Sequence, residues 1–369
     1  MSTTTLPLES DGYRAEGARN VLDALQPNSS IVRRIVKLGL FVGIQLVLFV
    51  VLLEIVGRVA DPLGISYYPD TARYLDTMIK EEPIGYRNRP GLKGRYHGAT
   101  YTINSIGLRN EEIPAKEPNE FRILMLGDSV VFGLGVEDSE TIPRVVERLA
   151  NEQAGGRKIR VINMGVPSYN SEQELVQLQS LGLSLEPDAV VLLYTLNDIE
   201  TKMWVFERRE SKLVDLAQRS YAACLLFTLR RQLMTAFGRE PSLVSTGDYH
   251  HDHPRWQAVD QSLTQLNHIC EQRDIPFLLL VGGDQDTKPY SLHFELADRE
   301  GFPIATLDPW TDDRWKDLDR SKHLNSATDL HCNEDGCEIY GTKVWELMLE
   351  AGVIAFDRSI ALTEPEGLQ

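Results

Sequence analysis

Basic residues are in deficit in this 369-residue chain: 38 Lys and Arg stand against 54 Asp and Glu, a formal charge of −16. Nucleic acids and anionic lipid surfaces demand clustered Lys and Arg, so neither is the main partner. Cysteine is scarce too. Cys224, Cys270, Cys332 and Cys337 are too few and too scattered for a disulfide scaffold, and no Cys-x-x-Cys pair suggests zinc or thioredoxin chemistry. A disulfide or two stays open, with connectivity that sequence cannot supply. Internal repeats and low-complexity tracts are absent, which excludes a repeat architecture.

Long apolar runs are limited to one. Leu38 to Leu53 is apolar except for Gln45 and glycines, and Ile35 to Ala60 extends it past Lys37, Glu54 and Arg58. Spanning a bilayer takes roughly 20 residues, and Lys37 and Arg58 can lay their stems along the helix with their charges at the interfaces. The run therefore reads as one transmembrane helix. A cleaved signal peptide is the alternative, but the run is long, about 30 residues precede it, and Arg58 stands where a small residue is needed before Ala60. Arg33, Arg34 and Lys37 crowd its entrance, so the positive-inside rule puts the N-terminus in the cytoplasm and the rest outside.

Residues 1–30 show no apolar periodicity and read as a disordered cytoplasmic tail, with the anchor over 31–60. Between 61 and 120, Gly, Pro, Asn and Arg surround short β-type runs such as Ala99 to Ile103, which predicts a small β-rich region. From Phe121 short apolar runs alternate with helix-length amphipathic stretches, the sign of a parallel sheet covered by helices. Strands are expected at Arg122–Leu126, Arg160–Asn163, Ala189–Tyr194, Pro276–Val281 and Pro303–Leu307, with a helix N-capped by Ser171 and a last helix over Glu334–Leu349. The expected fold is α/β: a flavodoxin-like three-layer α/β/α sandwich with a five-stranded parallel sheet over 121–355, preceded by the transmembrane helix and the β-rich region. Residues 200–245 are an insertion able to form a helical lid, and 356–369 are a tail.

In such a sheet the ligand site lies beyond the carboxyl ends of the strands. Leu126-Gly-Asp-Ser129 places a serine there. A serine hydroxyl needs a general base, an orienting partner for the base, and donors for the oxyanion. The second strand ends in Asn163-Met-Gly165, the third in Thr195-Leu-Asn197-Asp198, and Thr328-Asp329-Leu-His331 precedes the last helix. Gly165 permits close approach of its N–H, and the Asn197 amide can donate.

These four patches, in this order and spacing, resemble the SGNH (GDSL-like) hydrolase superfamily over roughly 121–352. The resemblance implies an esterase with Ser129 as nucleophile, His331 as base, and an oxyanion hole from Ser129, Gly165 and Asn197. The runs Gly85 to Gly91 and Ile103 to Arg109 look like the region preceding this domain in membrane-attached bacterial members. Two positions depart from the pattern: Thr195 stands where glycine is usual, and Thr328 stands where the aspartate three residues before the histidine is expected. Asp329 can orient His331 from a shifted turn, or the site is a Ser-His dyad. No cofactor is implied. Tyr249-His-His-Asp-His253 has metal-ligating residue types but reads as a solvated loop ahead of a helix, so no metal is expected. The expected substrate is a small acyl ester or an O-acylated glycan outside the cell, the acceptor being water or a sugar hydroxyl. A catalytically silent glycan-binding protein is the alternative.

Overall fold

The computed structural model describes residues 29–61, 64–200, 219–236, 246–326 and 329–354. The expected N-terminal tail, most of the insertion and the C-terminal tail therefore lie outside the described residues. The chain divides into two units, Met1–Val59 and Ala60–Gln369. In the first, a helix over Ser29–Ala60 contains the apolar run, and its segment Val32–Ala60 is long and apolar enough to cross a membrane, with a mean hydropathy of 2.6 over an 18-residue stretch.

The second unit is organised by β-type runs that are apolar on both faces, as a sheet covered on both sides requires. Five parallel strands form it: β5 (Glu120–Gly127), β6 (Lys158–Asn163), β7 (Ala189–Tyr194), β8 (Phe277–Val281) and β9 (Ile304–Thr306), in the order β6-β5-β7-β8-β9. All eight residues of β5 and all six of β7 are buried. Alternation sorts them between two cores. Leu124, Leu126, Val190 and Leu192 face the helices Ser171–Ser180, Pro254–Glu271 and Ser291–Glu300; Ile123, Met125, Val191 and Leu193 face Ile142–Gln153 and Glu334–Glu350. Burying one such side chain contributes about 1.5–3 kcal/mol, so neither face can be stripped without losing the domain.

The five expected strands and the last helix are present. One boundary differs: the helix at 171 is capped by Asn170, whose side chain accepts from Gln173 N at 3.0 Å, and Ser171 is its first residue. Asn and Ser are nearly equal as caps, so sequence alone cannot choose between neighbours.

Four short strands precede the sheet: β1 (Ile79–Glu81) pairs with β2 (Gly85–Arg87), and β3 (Lys93–Tyr96) with β4 (Ala99–Thr102), both antiparallel. A helix over Tyr67–Leu75, which the sequence reading did not anticipate, accompanies them. This region is no free-standing module. Its Tyr74, Tyr86, Tyr101 and Ile103 share a core with Phe132, Leu134, Val166 and Tyr169 of the α/β domain, so it packs against the loops at the sheet's carboxyl edge.

Candidate active site

β5 has β6 on one side and β7 on the other, so the chain turns opposite ways from its end, and that end is where a crevice opens. Gly127 closes the strand at φ 153°, a conformation that side chains disfavour, and Ser129 starts a one-turn helix, Ser129–Phe132. Asp128 caps it, its Oδ1 accepting from Val130 N at 2.9 Å. As the first helical residue, Ser129 has an N–H with no carbonyl partner inside the helix.

The far end of the chain brings His331 to Ser129. Leu324 and Cys332 form a β-bridge, and Asn325 N donates to His331 O at 2.9 Å, which holds the turn carrying His331 over Ser129. His331 Nε2 lies 2.7 Å from Ser129 Oγ, and His331 Nδ1 lies 2.6 Å from Asp329 Oδ1. The same Oδ1 accepts from His331 N at 3.1 Å, an Asx-type turn that brings a carboxylate two residues away into line with the ring. Ser129, His331 and Asp329 thus lie on one hydrogen-bonded line. Asn325 Nδ2 donates to Asp329 Oδ2 at 3.0 Å and to Leu134 O at 2.8 Å, tying the turn to the loop behind the serine. Burial acts against a charged His331 imidazole, but the hydrogen bond and charge of Asp329, with Asp128 adding to them, outweigh it and raise its pKa above the ordinary histidine value.

The other expected residues meet at the same rim with different partners. Asn197 Nδ2 donates to Asp128 Oδ2 at 2.8 Å, leaving its second amide hydrogen for a ligand. Gly165 N donates to Asn163 Oδ1 at 2.9 Å, so its N–H is already engaged. What glycine supplies at 165 is clearance: a Cβ there would stand 2.1 Å from Phe132 N, inside the helix that Ser129 opens. Thr195 Oγ1 lies 2.9 Å from Asp128 Oδ2 and 2.7 Å from Asn197 Oδ1. Where the pattern has glycine, this chain has a hydroxyl that helps to hold the Asn197 amide.

Sequence reasoning missed several supports. Buried Asp128 is the hub of the rim, and its only signal was its place inside Gly-Asp-Ser. Arg109 reaches from the preceding region into the loop behind Ser129, donating to the carbonyls of Phe132, Gly133 and Val136, pairing with Asp138 at 2.8 Å, and stacking over Tyr101. Tyr67 lies against His331 with ring centroids 6.0 Å apart. His97 hydrogen-bonds Thr71 and Tyr101, and burial lowers its pKa to about 3, so it adds no positive charge beside His331 at neutral pH. Only nonlocal contact reveals these roles.

Among the described residues no group of three or more His, Cys, Asp or Glu could hold a metal ion. In the histidine-rich loop His253 Nδ1 accepts from Arg255 N as a helix cap, and His251 pairs with Glu295. The sulfurs of Cys332 and Cys337 are 2.7 Å apart, both residues being buried.

No curated protein matches the chain. Solved structures similar to it include TesA (15% identity, 62% of this chain and 99% of that one, TM-score 0.40). The lipase/acylhydrolase from Enterococcus faecalis is 16% identical (62% and 95%, TM-score 0.37), and the psychrotrophic esterase EstA from Pseudoalteromonas sp. 14% (62% and 97%, TM-score 0.38). A family model for GDSL-like lipases and acylhydrolases matches residues 125–339, from the middle of β5 to the helix that follows His331. With more than half of its length in that match, the chain belongs to the GDSL-like lipase/acylhydrolase family.

Proposed function

We propose that this protein is a serine esterase in which Ser129 is the nucleophile, His331 the general base and Asp329 the residue that orients and charges against the imidazole. The observation that carries the reading is the hydrogen-bonded line from Asp329 Oδ1 through His331 to Ser129 Oγ, with contacts of 2.6 and 2.7 Å. Ser129 Oγ attacks the acyl carbon while His331 Nε2 takes its proton, then returns it to the leaving alcohol, and water or a second hydroxyl repeats the sequence in reverse. The Ser129 N–H and the second Asn197 amide hydrogen meet the oxyanion; Gly165 N–H joins them only by leaving Asn163 Oδ1.

The helix Val32–Ala60 supports a single-pass anchor with the N-terminus in the cytoplasm and the esterase domain outside, where O-acylated glycans are accessible substrates and sugar hydroxyls are possible acceptors. Hydrolysis and transfer share every step up to the acyl-serine, so acceptor placement decides between them. The silent binding-protein alternative leaned on a missing aspartate, and the Asp329 contact supports the enzyme over it. Labelling with a fluorophosphonate probe is the test. The expected adduct is on Ser129, lost in His331→Ala; an intact protein that never reacts would leave only the binding reading.

A further inference from the structure

Outside the N-terminal apolar helix, the described residues expose six large apolar side chains: Leu226, Phe227, Leu229, Leu233, Leu318 and Leu330. Four of these belong to one helix, Tyr221–Ala236, and a fifth, Leu330, sits between Asp329 and His331. Leu226, Leu229 and Leu233 follow an i, i+3, i+7 spacing and make one stripe, with exposures of 69%, 45% and 60%. The opposite side, at Cys224 and Thr228, is buried. The helix is thus amphipathic in the reverse sense of a soluble one, with its apolar stripe turned outward.

Its contacts tie it to the start of the second unit. Arg219, just before the helix, pairs with Asp76 at 2.6 Å, and Phe227 meets Tyr68 edge to face at 6.3 Å between centroids. Both partners are on or next to the helix Tyr67–Leu75, which also carries Tyr67 against His331. That helix begins only seven positions after Ala60, where the apolar run ends, and an extended residue spans at most about 3.6 Å. Asp61 shortens the path further by accepting from Ile65 N and Ser66 N at 2.7 and 2.9 Å. A bilayer crossed by Val32–Ala60 would therefore have its surface within a short tether of the outward stripe.

We propose that the stripe of Tyr221–Ala236 lies in the interfacial layer of the bilayer and turns the Ser129 site toward acyl esters carried by membrane amphiphiles. Leu330 extends the same apolar character to the rim of the site. The substrate class is an amphiphile with its ester near headgroup depth, drawn from the membrane rather than from solution. The substrate half of this inference rests on the esterase reading above; the surface half rests on the anchor and the exposed leucines. The occupant is apolar bilayer, not anionic headgroups, in keeping with the chain's net negative charge.

The test uses the full chain reconstituted in phosphatidylcholine vesicles. An environment-sensitive fluorophore is placed at Leu229→Cys, and in a control protein at Arg273→Cys, an exposed position before the amino end of β8; the native cysteines are buried. Nitroxide lipids labelled near the headgroup should quench the probe at 229 at least about threefold more than that at 273. The triple variant Leu226→Gln, Leu229→Gln, Leu233→Gln should lower the ratio of turnover on a vesicle-embedded long-chain ester to turnover on a soluble aryl acetate by about tenfold. Equal quenching at the two positions overturns the surface assignment, as does a 229 probe shielded by cross-linking to a second copy. An unchanged ratio overturns the substrate class. Failure of the esterase reading looks different: neither ester turns over and no fluorophosphonate adduct forms, whatever the quenching shows.

Discussion

Replacing Asp329 with Asn tests the site most sharply, because the structure says where each end of the new amide must go. Oδ1 faces two donors, His331 N at 3.1 Å and His331 Nδ1 at 2.6 Å, whereas Oδ2 faces one, Asn325 Nδ2 at 3.0 Å. The amide oxygen should stay at the Oδ1 position, because the flipped form sets its NH2 against the His331 backbone N–H. One hydrogen bond favours the unflipped form by about 1 kcal/mol, or about fivefold. His331 then keeps the tautomer with Nδ1 protonated and Nε2 free to accept from Ser129. What is lost is the carboxylate charge that stabilises the imidazolium formed during attack. A hydrogen bond to a charged group contributes about 1.5–3 kcal/mol against about 1 for a neutral one, a difference of about 0.5–2 kcal/mol, so turnover should drop by about two- to thirtyfold. That is milder than the roughly 10,000-fold loss of a serine protease whose substitution installs the wrong tautomer. Steady-state kinetics on an aryl acetate, with circular dichroism to verify folding, measures it. Adding Asn325→Ala should recover part of the loss, since it removes the donor that opposes the new NH2. Full activity in Asp329→Asn would remove Asp329 from the site, and a loss as deep as that of Ser129→Ala would refute the orientation argument.

Four further outcomes follow from the same geometry. Ser129→Ala and His331→Ala should each abolish nearly all turnover on a folded protein, and the double variant should be hardly worse, because the pair acts as one unit; multiplicative losses in kcat would contradict that. Asn197→Ala should lower kcat by about a hundredfold with KM little changed, as expected of an amide that acts mainly on the oxyanion, so an effect confined to KM would reassign it to substrate binding. His331 works as a base only when neutral, and Asp329 raises its pKa, so kcat/KM should rise with pH through a midpoint above the ordinary value of about 6.5. In Asp329→Asn that midpoint should move down; a midpoint unmoved by the substitution would show that the limb belongs to another group. Finally, the proposed external placement would permit Cys332 and Cys337 to pair, so on that proposal denatured protein isolated without reductant should titrate two thiols, from Cys224 and Cys270, and four titratable thiols would argue for a reducing compartment.

The sheet, and which residues meet at its carboxyl rim, were legible in the sequence because their signals are local. A strand apolar on both faces, such as Ala189–Tyr194, is its own evidence, and Gly-Asp-Ser after a strand, Asn197 after another and His331 before a helix need only chain order to converge on one rim. What could not be read was which contacts those residues keep. Asp329 sits two residues from His331, and nothing in that spacing says whether its carboxylate meets the ring; the turn that decides it is held by Asn325, which packs where a Cβ on Gly135 would lie 2.0 Å away. Gly165 carries one signal for two different jobs, N–H donor and clearance, and only the approach of the Ser129 helix separates them. The helix Tyr67–Leu75 and Arg109 lie in a polar stretch without helical periodicity, and their place over His331 and behind Ser129 comes from packing between segments distant in the chain. Composition and periodicity report what a segment needs from its surroundings. Which group meets that need is set when the chain folds back on itself, since a hydrogen bond of 2.6 Å depends on two backbones that the sequence places far apart or, as at Asp329, on the angle of a single turn.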